Sequence, residues 1–115
     1  MKKKVVAVAM ATAMMASSLA IGGATVYAAD DSIVIGAVYP MTGDLADSGK
    51  TMQQGIDMAV EEINEAGGID GQEVEVIYGD SKGDSATGMT EAERLITQEN
   101  VDVLIGCYQS GVTVT

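Results

Sequence analysis

The 115-residue chain has no histidine, no tryptophan and no phenylalanine, and it holds a single cysteine and a single proline. Without histidine, the nucleophile-base pairs of most hydrolases lose their usual base and zinc loses its commonest nitrogen ligand. Cys107 has no second cysteine to pair with and no histidine to activate it, so it reads as a small buried residue at a strand end. The sequence therefore argues against an enzyme, and it calls for no metal and no cofactor. Cations are also scarce. Beyond residue 28 only Lys50, Lys82 and Arg94 stand against all 17 acidic residues, a net charge of −14. Such a surface repels nucleic acid and anionic lipid, so neither is expected as a partner, and it reads as a solvated exterior.

The cations that do exist elsewhere are concentrated at the start. Lys2, Lys3 and Lys4 precede the apolar run from Val5 to Ile21, and a small-residue segment ending Val26-Tyr27-Ala28 follows. This layout is that of a signal peptide over residues 1–28 with cleavage after Ala28. The run is interrupted by Thr12, Ser17 and Ser18 and is short for a membrane span. No cysteine stands at the cleavage point, so a lipid anchor is not expected, and the mature chain is predicted to be periplasmic or secreted. What remains, residues 29–115, is enough for one small core but falls below the commonest domain size.

Within that remainder, Ile33 to Tyr39 is a nearly unbroken apolar run stopped by Pro40, the pattern of a strand covered on both faces. Met52, Ile56, Val60 and Ile63 then recur at helical spacing, and Gly67-Gly68 ends the helix. Residues 73–78 alternate Glu73 and Glu75 with Val74 and Val76, predicting a strand with one more exposed face, at an edge. A second helix is predicted over residues 86–99 with Asp84 or Ser85 as N-cap, and a third strand over residues 101–106. The resulting βαβαβ unit is an α/β fold with a parallel sheet of strand order 2-1-3. In such sheets the ligand crevice lies at the carboxyl ends of the strands, beside the switch point. The loop after Tyr39 and the loop after Gly106 are thus expected to share a site.

The first of those loops, "TGDLADSGKT" at residues 42–51, has the look of a phosphate-binding P-loop. Its spacer, Asp44 to Ser48, is one residue longer than the P-loop signature allows, and two of its members are aspartates that set negative charge against a polyphosphate. Asp80 and Asp84 in "GDSKGDS" suggest calcium, but two acids in one loop are more often turn and N-cap residues.

The order and spacing of three motifs carry a resemblance: Pro40-x-Thr42-Gly43 after the first strand, "AVEEINEAGGIDG" at the first helix end, and "GDSKGD" after the second strand. Together, over nearly all of residues 33–110, they resemble the N-terminal part of the branched-chain amino acid binding proteins of ABC importers, which have the type I periplasmic binding fold. The resemblance implies two α/β lobes that close over an amino acid or similar small solute and deliver it to ABC permease subunits in the membrane. Residues 29–115 would then be a truncated N-terminal lobe. It also implies roles for four residues. Ser110 matches a serine that helps hold the ligand's α-carboxylate, with the backbone N–H of Gly111 beside it. Ser48, in the first loop, falls where relatives often place an aromatic against the ligand. Tyr108 is either an aromatic wall or a partly buried loop tyrosine. Leucine-like amino acids, short amides, urea and small aromatic acids are the candidate ligands. A sensory input domain of the same fold, or an inactive gene fragment, are the alternatives.

Overall fold

The computed structural model describes residues 32–114. The signal-peptide reading of residues 1–28 lies outside the described residues. Strand β1 (Ile33–Tyr39) is the centre of a three-stranded parallel sheet of order β2-β1-β3, as the element order predicts. Strand β2 (Val74–Asp80) pairs along the whole of β1, from Ile33 opposite Val74 to Tyr39 opposite Asp80. On the other side, β3 (Val103–Gly106) pairs from Ile35 opposite Val103 to Val38 opposite Gly106. Gly36, Ala37 and Val38 are buried, which explains why β1 has no polar alternation. Pro40, which has no N–H to donate, follows the last paired residue.

Helix α1 (Ala46–Glu65) ends where the glycine pair was expected to stop it. The Gly67 N–H donates to Asn64 O and the Gly68 N–H to Ile63 O, with both glycines at positive φ, which is a Schellman motif. Helix α2 (Ser85–Thr97) is capped by Asp84, whose side chain accepts the Thr87 N–H, and a four-residue helix α3 (Ser110–Thr113) follows β3. Successive residues of β2 show which helix covers which face. The Tyr78 hydroxyl donates to Asp57 on α1, whereas a side chain at Gly79 would meet Glu91 and Leu95 on α2. Helices α1 and α2 therefore lie on opposite faces of the sheet, with Leu95 fully buried on the α2 side.

Three boundaries differ from the sequence expectation. The third strand starts at Val103 and not at residue 101, because the Val101 N–H turns back to Leu95 O, and the Asp102 carboxylate accepts the Val34 N–H at 2.8 Å. Helix α2 stops at Thr97, two residues before Glu99, whose carboxylate instead receives Arg94 Nη1 at 2.8 Å. Strand β2 runs on to Asp80, because the β1 ladder continues to Tyr39. Among the described residues no helix is long and apolar enough to cross a membrane.

Candidate functional site

The parallel register brings the carboxyl ends of all three strands to one edge of the sheet, where Tyr39 faces Asp80 and Val38 faces Gly106. Two glycines allow the chain to pass close at this edge. Gly106 has φ +136°, and a Cβ there would overlap Val38 O, so only glycine lets the third loop leave the sheet so near β1. Gly49, buried in the first turns of α1, lies so close to Pro40 that a Cβ would overlap the Pro40 carbonyl. This close packing accounts for the glycine of the Gly49-Lys50-Thr51 triplet. The triplet lies inside α1, past its first turn, with Lys50 exposed, and does not form a phosphate cradle ahead of a helix.

Three loops meet here, and "GDSKGDS" joins the other two. Asp80 Oδ1 accepts the N–H groups of Met41 at 2.8 Å, Thr42 at 3.3 Å and Lys82 at 2.9 Å, while Oδ2 accepts the Thr42 hydroxyl at 2.6 Å. Burial alone would push the Asp80 pKa up; the bonds from the Thr42 hydroxyl and from the Lys82, Met41 and Thr42 N–H groups outweigh it and hold the carboxyl below its ordinary range. Toward the third loop, the Ser85 hydroxyl donates to Gly111 O at 2.7 Å. The Gln109 side chain lies against Gly83, with its buried Oε1 lacking a hydrogen-bond partner among the described residues.

Tyr108 is 45% exposed between β3 and α3, and Ser110 and Gly111 are the exposed first two residues of α3. These three follow one another closely in the chain, just past the carboxyl end of β3. Ser48, expected in the first loop, lies instead within α1, because the Ala46 N–H already closes a turn onto Gly43 O and the helix starts there. It is half-buried, and among the described residues no hydrogen bond connects it to Tyr108, Ser110 or Gly111. Cys107 is half-buried and not fully enclosed; burial pushes its thiol pKa up, which keeps it protonated and a poor nucleophile.

The expectation that Asp80 and Asp84 serve a turn and an N-cap holds for Asp84, which accepts the N–H and hydroxyl of Thr87 at 2.8 Å each. For Asp80 it is incomplete: three of its four donors come from the β1–α1 loop. Its place at a strand end in a 2-1-3 sheet was the available signal, since the ladder sets that residue opposite Tyr39. Gln109 carried no such signal. Among the described residues there is no group of three or more His, Cys, Asp or Glu placed to hold a metal. A cavity of about 480 Å³ lies between α2, β3 and α3, lined by apolar side chains such as Met89, Ile96 and Leu104, and it includes none of the four expected site residues.

The family model described as periplasmic binding protein matches residues 32–115. Leu/Ile/Val-binding protein homolog 7 of Brucella abortus (strain 2308) is 40% identical over 83 residues, 72% of this chain and 21% of that protein. Among solved structures, the branched-chain amino acid transporter substrate binding protein LivJ from Streptococcus pneumoniae, in complex with isoleucine, is 40% identical. It superposes with a TM-score of 0.68 over 71% of this chain and 24% of LivJ. A solute binding protein of an ABC transporter from R. palustris, in complex with benzoate, is 25% identical, with a TM-score of 0.64 over 72% of this chain and 22% of that one. The chain thus spans about a fifth of the length of the relatives it matches. With the β2-β1-β3 sheet, the helices on both of its faces and the match over residues 32–115, the chain belongs to the periplasmic binding protein family.

Proposed function

We propose that this chain provides one wall of the ligand cleft in an extracytoplasmic solute-binding protein of an ABC importer. Residues 1–28 act as a cleaved signal peptide, and residues 29–115 belong to the N-terminal lobe. The ligand is a small solute with a carboxylate, foremost an amino acid of the branched-chain type, which the protein hands to permease subunits in the membrane.

The observation that carries this reading is the convergence of the β1–α1 and β3–α3 loops at one sheet edge, in a chain 40% identical to isoleucine-bound LivJ over the same elements. Isoleucine and benzoate, the ligands of two relatives, have a carboxylate in common. A hydroxyl such as that of Ser110 meets a carboxylate through a charge-assisted hydrogen bond, and the Gly111 N–H next to it adds a second donor. The exposed ring of Tyr108 serves as an apolar wall, and Ser48 stands on the α1 side of the same edge. The charge of this chain favours one of the two ligand classes. A surface with 17 acidic residues and three cations beyond residue 28 repels an anion such as benzoate, but not a zwitterion with no net charge. Calorimetric titration of the full-length protein with isoleucine, leucine, benzoate and ATP tests the reading: heat with the amino acids supports it, and heat with ATP alone overturns it.

A further inference from the structure

A residue that only shapes its own turn needs its carboxylate to accept one bond, from the N–H two residues on. Asp80 makes that bond, to Lys82 N at 2.9 Å, and then accepts three more from a segment 38 and 39 residues earlier in the chain. Both carboxylate oxygens are engaged, so the group is committed to Met41 and Thr42. The loop it holds leads into the tight Pro40–Gly49 packing at the start of α1. The loop it belongs to is tied at its other end, through Ser85, to Gly111. One segment, residues 80–85, therefore fixes both ligand-facing loops against each other.

We propose that Asp80 is a positioning residue for the cleft: it acts on solute affinity by holding the β1–α1 loop in its binding geometry, at a site formed by other residues. This rests on the solute-binding reading given above. A loop that is ordered before ligand arrives does not have to be ordered by it, and a protein only partly in its competent state loses affinity in proportion. Asparagine at position 80 keeps one oxygen for the three N–H donors but cannot accept the Thr42 hydroxyl with its amide nitrogen, whereas alanine removes every acceptor.

Amide hydrogen exchange and isoleucine titration of the full-length protein test this together. In Asp80→Ala, exchange at Met41 and Thr42 should rise relative to Val38 in β1, and isoleucine affinity should fall on the order of tenfold, with Asp80→Asn in between. Asn64→Ala, which removes two bonds at the opposite end of the sheet, is the control: it should not raise exchange at Met41 and Thr42 relative to Val38, and it should leave the affinity unchanged. Unchanged exchange at Met41 and Thr42 in Asp80→Ala overturns the proposal, as does an equal loss of affinity in Asn64→Ala. If Asp80→Ala does not fold, Thr42→Val removes the Oδ2 partner alone and gives the same exchange readout. Should the wild-type protein bind no isoleucine, the functional reading fails, while the exchange data still decide whether Asp80 holds the loop.

Discussion

Asn64, near the end of α1, pairs with Val74 at the start of β2 as a neighbouring strand would: its Nδ2 donates to Val74 O at 2.9 Å and its Oδ1 accepts the Val74 N–H at 2.8 Å. The amide thus satisfies both backbone groups of an edge residue that is itself buried. Replacement by alanine strands them, and each net bond is worth roughly 0.5 to 1.5 kcal/mol. Asn64→Ala should therefore lower unfolding stability by about 1 to 3 kcal/mol in urea titrations.

Two glycines of α1 should respond in opposite ways. Gly49→Ala forces a methyl into the Pro40 carbonyl and should cost about 2 kcal/mol or more, because the atoms it meets are backbone and not the end of a flexible side chain. Gly55 has nothing within 4 Å of an added Cβ, so Gly55→Ala should stabilise the helix by about 0.5 to 1 kcal/mol. Paired thermal melts of the two variants check this directly.

For ligand binding, Ser110→Ala should weaken isoleucine by about 1.5 to 3 kcal/mol, the range for hydrogen bonds to charged groups. Lys50→Ala, at an exposed position in α1, should leave the titration unchanged. A larger effect from Lys50 than from Ser110 reverses the assignment.

The pH profile should have two limits. Asp80 has a folded-state pKa below its unfolded value, so it adds stability above the ordinary carboxylate range, lost as pH falls through the depressed value. The stability gap between wild type and Asp80→Asn should close at acid pH. Tyr78 is shifted upward, first by burial and then by its 2.6 Å bond to Asp57. Its raised folded-state pKa adds stability that is complete below about pH 10 and fades above it. Tyrosinate absorbance should show one tyrosine that ionises only as the protein unfolds, and Tyr78→Phe should remove that late step.

Export predicts a processed chain. Mass spectrometry of the secreted or periplasmic protein should find an N-terminus close to Ala29, and a membrane-held product that begins at Met1 would contradict the signal-peptide assignment.

Local features were legible from sequence because their causes are local. The apolar run of β1, the Gly67-Gly68 stop and the Asp84 cap each depend on neighbours within a few residues, and strand order follows from handed connections. Contacts between distant segments were not. Gly49 resembles part of a phosphate motif until Pro40 is seen against it, and Asp80 resembles a turn residue until Met41 and Thr42 are seen donating to it. Ser48 is a different case: the turn from the Ala46 N–H onto Gly43 O is local, but it is a matter of backbone path, on which the side chains of residues 44–48 are silent.

The Asp102 carboxylate on the Val34 N–H also works as a ruler. The run Val103-Leu104-Ile105-Gly106 of β3 is apolar on both faces, so hydrophobic alternation does not fix its register and a slide along β1 is opposed by the contacts at its ends. Such a slide would take Asp102 away from Val34 and leave both a backbone donor and a carboxylate without their partner. The strand is thereby gauged at its amino end, so the point at which Gly106 releases the chain, and with it the place where Ser110 stands, is measured from the far side of the sheet.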